Sequence, residues 1–263
     1  MEKDNAERFM GFAGIYDDAR PHMPLFPTEV ITKYLGREPE RVVDMGCGTG
    51  LSTVVWKGRC KEAVGLEPSD DMLAEAMKKQ GEGITFKKAY SHKTGLPDLC
   101  ADAVVCSQSF HWMEPKSTLA EANRILKSAG VFAAVDCDWP PVCGWEAEKA
   151  FESLFEDVRS IERAYPELGG KFQKWDKEGH LDNITKSGHF RFAREIVFLS
   201  REPGSAARFI NLAMSQGGLQ SVLRFNAGLI AEKLEAFKET VRKTLGEGSF
   251  DIDFCYRMRV GVK

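Results

Sequence analysis

The 263-residue sequence has no Cys-x-x-Cys pair, no excess of basic residues and no internal repeat. Its seven cysteines form an odd-numbered set, which argues against a disulfide framework or a zinc knuckle. Lysine and arginine total 36 against 39 acidic residues, and the net charge of −3 argues against binding to a nucleic-acid backbone. We therefore expect reduced cysteines that pack as small apolar side chains, no metal site and no nucleic-acid partner.

Long apolar stretches are also missing from the sequence. Residues 1–8 are rich in charge and predict no signal peptide. No apolar run approaches the roughly 18 residues of a membrane span, because the longest run, at residues 131–135, has the length of a strand. These features predict a cytoplasmic protein without a membrane partner.

Short apolar runs alternate with amphipathic segments between residues 41 and 136. The runs predict five strands, at residues 41–44, 62–66, 84–86, 101–106 and 131–135. The segments predict helices at residues 51–57, 69–79 and 115–127. Gly130 lies just after the last of them, where glycine commonly ends a helix. Apolar strands separated by helices indicate a parallel sheet covered on both faces, and therefore a doubly wound α/β fold.

The two ends of the chain show a different pattern. Residues 1–38 combine aromatic side chains with proline before a helix at residues 28–35, and residues 138–199 are aromatic and less regular. We predict a helical stretch at residues 205–225 with an interruption at its two central glycines. A charged amphipathic helix at residues 231–245 and a closing strand or hairpin at residues 250–262 follow it.

The stretch at residues 42–50, with the sequence VVDMGCGTG, contains the residues most suited to binding a ligand. A predicted strand brings Asp44 to its carboxyl end, and the chain then turns through three glycines. Glycine lets a ligand approach the backbone closely. Glu67 ends the next strand, where its carboxylate can accept hydrogen bonds from both hydroxyls of a ribose.

Three ligand types compete for this layout. A phosphate-binding P-loop requires Gly-Lys-Ser/Thr, whereas Leu51 and Ser52 follow the glycines here. A dinucleotide site uses Gly-x-Gly-x-x-Gly, but this spacing is Gly-x-Gly-x-Gly, and Asp44 puts an anion where a pyrophosphate would lie. An acid there favours a ligand with an ammonium group. S-adenosylmethionine has an amino group, a sulfonium and a ribose, and no phosphate.

The same residues resemble those of the class I S-adenosylmethionine-dependent methyltransferases, and within them the small-molecule branch typified by trans-aconitate methyltransferase. Residues 44–50 resemble the glycine-rich motif of the family, and residues 64–69 resemble its acidic loop. Residues 108–112 resemble a Phe-His-Trp signature that follows the fourth strand. The resemblance covers about residues 10–137.

This resemblance implies an α/β fold with a doubly wound, mostly parallel, seven-stranded Rossmann-like sheet, an N-terminal cap and a helical insertion over the active site. The whole chain, residues 1–263, would be a single methyltransferase domain. Its parts would be the cap at 1–38, a cofactor-binding core at 39–137, a substrate-covering insertion at 138–225, and a C-terminal helix with closing strands at 226–263.

The resemblance also implies that S-adenosylmethionine contacts residues of the first half of the chain: Tyr16, Arg20, Asp44, Gly46, Cys47, Gly48, Glu67, Pro68, Met72, Tyr90, Ser91 and Ser107. Glu67 would bind the ribose hydroxyls. The loop at residues 89–92 lacks the acid that often binds the adenine amino group, so Tyr90 would stack on the adenine instead. Tyr16 and Arg20 would close over the cofactor, with Arg20 against its carboxylate.

Methyl transfer from a sulfonium is an in-line displacement, which requires the nucleophile to lie about 3–3.5 Å from the methyl carbon. The motif segments contain no convincing pair of an acid and a histidine that would serve as a base. We therefore predict a small organic acceptor, with an ionised carboxylate favoured because it needs no base. His111 is the catalytic candidate, as a positioning group or a general base. Phe12, Trp139 and Trp145 are expected around the acceptor.

Three alternatives remain open from the sequence. An NAD-type dehydrogenase would use a similar sheet and would bind phosphate at the glycine loop. A non-catalytic protein would bind S-adenosylmethionine without turnover. A thiol or arsenical methyltransferase would need two or three cysteines to converge near the methyl group, and the candidates are Cys47, Cys106, Cys137 and Cys143.

Overall fold

A seven-stranded sheet organises the chain. In the computed structural model, which describes residues 20–169 and 173–263, the strands are β1 Arg41–Met45, β2 Glu62–Leu66, β3 Ile84–Lys87, β4 Ala101–Ser107, β5 Leu126–Cys137, β6 Phe192–Gly204 and β7 Phe250–Val262. Their spatial order is β3-β2-β1-β4-β5-β7-β6. Strands β1 to β5 run parallel, and β7 runs antiparallel to both β5 and β6. The predicted doubly wound, mostly parallel sheet is confirmed.

Helices flank this sheet. They are α1 Phe26–Leu35, α2 Asp70–Met77, α3 Pro115–Ile125, α4 Trp145–Ala164, α5 His180–Lys186, α6 Ala206–Met214, α7 Gly217–Asn226 and α8 Ala231–Leu245. Short 3₁₀ turns occur at Val54–Trp56, Phe110–Trp112, Pro166–Gly169, Lys177–Gly179 and Ala227–Leu229. None of the helices in the described ranges combines the length and the hydropathy that a bilayer span requires.

The parallel strands are buried on both faces, which explains why they read as continuous apolar runs. In β4, Ala103 and Val105 pack in the core that also holds Ile31 of α1. Val104, between them, points to the opposite core with Leu119 of α3. Successive side chains of a strand alternate between faces, so each strand contributes to both cores.

The second half of the chain adds a helical layer with its own core. Phe151 of α4, Phe209 of α6 and Phe237 of α8 meet there, with ring centroids 5.8 to 6.4 Å apart. The segment predicted as a helical insertion, residues 138–225, is therefore largely helical. It also contains β6, which the sequence analysis did not predict.

Two local predictions in the core were wrong. Residues 51–57 do not form a full helix, and only Val54–Trp56 makes a 3₁₀ turn. The hydroxyls of Ser52 and Thr53 donate instead to Asp44, and this run of β-branched residues has low helix propensity. Gly130 does not end α3, because β5 begins at Leu126. A Cβ at Gly130 would lie 2.9 Å from the Lys127 carbonyl oxygen, so the strand itself requires glycine there.

A buried ion network joins the three strands at the antiparallel end of the sheet. Arg259 of β7 is 1% exposed; its Nη1 lies 3.2 Å from Asp136 Oδ2 of β5, and its Nε donates to Glu195 Oε2 of β6 at 2.7 Å. Lys177 Nζ also lies 3.2 Å from Asp136 Oδ1. A buried carboxylate is tolerated only when it is paired, so these cations stabilise the charge of Asp136.

We expect Arg259→Met to lower the free energy of unfolding by about 3 kcal/mol, because the buried Asp136 would lose one of its two cations and keep only Lys177. Arg257→Met, two residues away on the same strand, is the matched control. The Arg257 side chain is 36% exposed and contacts Asp138 and Glu195 at the surface, so we expect a loss within about 1 kcal/mol. Urea denaturation measures both losses, and equal losses would contradict the role given to Arg259.

Candidate functional site

The carboxyl ends of β1, β2 and β4 open into one cleft, as expected at the switch point of a doubly wound sheet. The cleft encloses about 1160 Å³, including its open mouth. Ten of the residues predicted to contact the cofactor line it: Arg20, Gly46, Cys47, Gly48, Glu67, Pro68, Met72, Tyr90, Ser91 and Ser107. Their individual contacts with a cofactor stay predictions. Tyr16 and Phe12 lie outside the described residues.

Glu67 is buried at the base of the cleft. Its Oε2 accepts a hydrogen bond from the Gly48 amide, and its Oε1 accepts one from the Ser69 amide, both at 2.9 Å. Burial raises the pKa of Glu67 to about 7, although both amides favour the ionised form. Each carboxylate oxygen has a second lone pair, so the two oxygens can still accept the two hydroxyls of a ribose.

The glycines of the loop have different roles. Gly48 has a φ of +56°, and a Cβ added there would meet nothing within 4 Å, because the position faces the cleft. Gly46 has a φ of +68°, and a Cβ there would lie 2.8 Å from Ser109 Cβ, so both the backbone conformation and the packing require glycine. The expectation that glycine keeps the backbone open to a ligand therefore holds for Gly48.

Asp44 does not line the cleft. It is 1% exposed beneath the loop, and its Oδ2 accepts the hydroxyls of Ser52 and Thr53 at 2.6 and 2.7 Å. Burial raises the pKa of Asp44 to about 6. The expectation that this carboxylate points into the ligand space was wrong, because Asp44 instead holds the chain that leaves the glycine loop. Its Oδ1 is buried and has no hydrogen-bond partner among the described residues.

Arg20 closes one side of the cleft. Its Nε donates to Ser215 Oγ at 3.0 Å, and its Nη2 donates to the Ser215 carbonyl oxygen and to Gln216 Oε1. The guanidinium lies 4.8 Å from the centroid of the Trp139 ring. Arg20 therefore connects the start of the described chain to the turn between α6 and α7. A cofactor carboxylate, predicted to bind Arg20, would contact a guanidinium that already donates to Ser215 and Gln216.

Four of the residues that line the cleft are those predicted near the adenine. Pro68 and Met72 follow the acidic loop, and Tyr90 and Ser91 follow β3. Met72 is 2% exposed, and Ser91 Oγ lies 2.9 Å from Thr118 Oγ1 of α3. Proline, methionine and tyrosine side chains provide apolar contacts that suit an aromatic base.

His111 lies outside the cleft lining. It is buried with Nδ1 3.4 Å from Asp136 Oδ1, and burial lowers the pKa of His111 to about 4 despite that carboxylate. Its carbonyl oxygen accepts a hydrogen bond from the amide of Trp175 at 2.9 Å. Its burial, and its place outside the cleft lining, favour a structural role for His111 in the Asp136 network.

Several lining residues were missed in the sequence analysis. His22, Gln108 and Tyr256 line the cleft, and Tyr256 comes from β7, far along the chain from the motifs. The proximity of His22 to Arg20 in the sequence was the one available signal for it. Of the aromatic residues expected around the acceptor, Trp139 lines the cleft, whereas Trp145 is 69% exposed at the start of α4 and does not.

Two of the four candidate cysteines lie at the cleft. Cys47 and Cys137 line it, whereas Cys106 and Cys143 do not. Burial raises the pKa of Cys47 well above its usual value and that of Cys137 to about 12. Both thiols therefore keep their protons at neutral pH, which disfavours thiolate chemistry.

A cluster of His111, Asp136 and His180 has the composition of a metal site. Within the described parts of the chain, however, Asp136 is already contacted by Arg259 and Lys177, both at 3.2 Å. Two fixed cations beside the carboxylate oppose the binding of a third, so the geometry favours an ion network over a metal centre.

Comparison with known proteins agrees with this site. Residues 43–134 match the family model of a methyltransferase domain. A probable S-adenosylmethionine-dependent methyltransferase of Saccharomyces cerevisiae is 32% identical over 124 residues, which cover 45% of this chain and 43% of that protein. An uncharacterized methyltransferase of Mycobacterium tuberculosis is 27% identical over 146 residues, covering 56% and 58%. The chain thus spans about half the length of the curated relatives it matches.

A solved structure extends the likeness to the whole fold. A putative type II methyltransferase from Anaeromyxobacter dehalogenans superposes with a TM-score of 0.67 at 18% identity, covering 92% of this chain and 97% of that one. In sequence, residues 43–134 are thus similar to a methyltransferase domain, and the yeast relative is described as dependent on S-adenosylmethionine. The cleft fits that cofactor, since it combines the buried Glu67 carboxylate with the open backbone at Gly48.

We expect the affinity for S-adenosylmethionine to rise with pH and to level off above about 7. Ribose hydroxyls donate to the ionised form of Glu67, whose pKa is about 7 in the free protein, so protonation competes with binding by up to about tenfold per pH unit. Isothermal titration between about pH 5.5 and about pH 8.5 measures this dependence.

Glu67→Gln is the control for other titrating groups, because it keeps the side-chain shape and removes the charge. We expect it to bind more weakly than the wild type by over tenfold, about 1.4 kcal/mol, and to lose this part of the pH dependence. Identical pH profiles for the two proteins would remove Glu67 from the binding site.

Proposed function

We propose that the protein transfers the methyl group of S-adenosylmethionine by in-line displacement to a small organic acceptor, and that the acceptor atom is an ionised carboxylate oxygen. The observation that carries this proposal is the charge around the acceptor side of the cleft. Arg20 lines the cleft beside Trp139, and Lys177 Nζ lies 3.4 Å from both Gln108 Oε1 and the Cys137 carbonyl oxygen, which belong to lining residues.

A second lysine lies on the same side. Lys174 Nζ is 5.7 Å from the centroid of the Trp112 ring, and Trp112 also lines the cleft. Lysine and arginine near an aromatic wall favour a planar or apolar acceptor that carries negative charge. The only carboxylate that lines the described cleft is Glu67, which lies at its base and is bound by two amides.

The cleft wall offers little general-base chemistry, which also favours an acceptor that is already ionised. Burial holds the pKa of Tyr256 well above its usual value, and the Cys47 and Cys137 thiols are likewise protonated. Of the histidines that the structure describes, His22 is the one that lines the cleft. A carboxylate acceptor needs none of these groups as a base.

In this mechanism the bound cofactor supplies an electrophilic methyl group on a sulfonium. Glu67 and the backbone at Gly48 hold the nucleoside, and the aromatic wall of Trp112 and Trp139 excludes water from the acceptor side. The positive charge of Arg20 and of the two nearby lysines attracts the acceptor carboxylate, while the predicted direct partner of Arg20 is the carboxylate of the cofactor. Catalysis then comes mainly from alignment at about 3–3.5 Å, because no proton has to move.

The finer assignments rest on the sequence. Resemblance to the trans-aconitate methyltransferase branch supports a small acid as acceptor. This acceptor and a cytoplasmic location remain predictions. Binding of S-adenosylmethionine without turnover is the alternative that the following experiment decides.

We expect the full chain, incubated with a metabolite extract and S-adenosylmethionine labelled in the methyl group, to label a small acid. A methyl ester releases labelled methanol in mild alkali, whereas N-methyl and S-methyl products do not. Mass spectrometry before and after alkali identifies the class of product. Alkali-stable label would refute the carboxylate acceptor, and cofactor binding without any labelled product would indicate a non-catalytic protein.

We expect His111→Asn and His22→Asn each to keep kcat within about tenfold of the wild type, because the acceptor needs no base. The measurement is kcat with the labelled acceptor, together with cofactor affinity for each variant. A loss of about a thousandfold in His22→Asn alone, with cofactor affinity intact, would assign a general base to His22 and a hydroxyl or amine to the acceptor.

A further inference from the structure

Strand β6 forms an edge of the sheet. Among the described residues β7 is its one neighbouring strand, and the two pair without interruption from Phe192 opposite Val262 to Gly204 opposite Phe250. An edge of 13 residues is long for a globular protein. Long edge strands present unpaired backbone groups that can pair with another chain.

The hydrogen bonds of β7 show which backbone groups of β6 face outward. The amide of Asp138 donates to the Cys255 carbonyl oxygen, and Val142 and Asp253 exchange two hydrogen bonds. Odd-numbered residues of β7 therefore bond toward β5, and even-numbered residues bond toward β6. Because Tyr256 pairs with Phe198, the odd-numbered residues of β6 direct their N–H and C=O groups to the open edge.

The middle of this edge is apolar and exposed. Val197 and Leu199 point to the same face and are 63% and 53% exposed. Phe198 points to the opposite face, where it stacks on Tyr256 at 5.2 Å and contacts Phe26 of α1 at 4.9 Å. One face of the edge strand thus packs against Tyr256 and Phe26, and the other face exposes Val197 and Leu199.

The charges of β6 are self-complementary. Two copies of the strand can pair antiparallel with Phe198 opposite Phe198. The first residue of each copy then lies opposite the last residue of the other, and all 13 residues are paired. In this register Arg194 lies opposite Glu202, and Glu195 lies opposite Arg201. A shift of two residues in either direction, the smallest that keeps the outward backbone groups facing each other, removes every one of these opposite-charge pairs.

We propose that two copies of the chain associate through β6 in this register, by a two-fold axis at Phe198, so that their sheets join into one. The outward N–H and C=O groups of Val197 bond to those of Leu199 in the partner, and those of Glu195 bond to those of Arg201. The open faces of Val197 and Leu199 then pack across the junction. Pro203, which has no N–H, ends the hydrogen-bond ladder.

The charged residues keep their intrachain partners in this arrangement. Arg201 donates to Asp253, and Glu195 accepts from Arg259. The cross-chain contacts therefore join two existing ion networks, and their main effect is to favour this register, because the registers two residues away lack the opposite-charge pairs.

The test uses two single variants of exposed residues, Val197→Lys and Leu199→Glu, in the full chain. Each puts an unpaired charge opposite an apolar residue, so we expect each to raise the dimer dissociation constant at least about tenfold, measured by sedimentation velocity over a concentration series. Trp145→Lys, at a residue that is 69% exposed on α4, is the control and should associate like the wild type.

Mixing the two single variants tests the register itself. In the mixed dimer the lysine introduced by Val197→Lys in one chain faces the glutamate introduced by Leu199→Glu in the other, so we expect a heterodimer tighter than either homodimer. Thermal unfolding at wild-type temperature verifies that each variant folds. A monomeric wild type at all concentrations, or a dimer that both single variants leave unchanged, would overturn the proposal. A mixture no tighter than its components would overturn the register.

Discussion

The cleft depends on one buried carboxylate. Glu67 accepts the amides of Gly48 and Ser69, and in doing so it ties the glycine loop after β1 to the turn after β2. Both turns need an anion to satisfy their amides, and the anion needs both amides to remain charged in a buried place. The carboxylate that shapes the cleft is thus the group predicted to accept the hydroxyls of a ribose.

The two acids of the motif region have separate tasks. They look alike in the sequence, since each ends a strand beside the glycine loop. In the structure Glu67 lines the cleft, whereas Asp44 lies beneath it and binds the Ser52 and Thr53 hydroxyls. Strand position alone could not distinguish them, because the difference depends on which side of the loop each carboxylate turns to.

Much of the first half of the chain was predictable, because local pattern and burial agree there. The strands at 62–66 and 101–107 are buried on both faces and read as apolar runs, and α2 begins where Ser69 predicts it. Strand β6 was missed because it lies at the edge of the sheet and mixes charged with apolar residues, so its sequence does not form an apolar run. The burial of His111 beside Asp136 was also missed, because it depends on contacts between residues distant in the sequence.

Strand β7 enters the sheet between β5 and β6, and its placement has to be accurate to a single residue. A slip of one residue would turn Arg259 away from Asp136 and bring an apolar neighbour to a buried carboxylate. The desolvated charge would then cost several kcal/mol, so misaligned pairings lie well above the native one in energy. The ion network thus favours a single alignment of the C-terminal strand within the sheet.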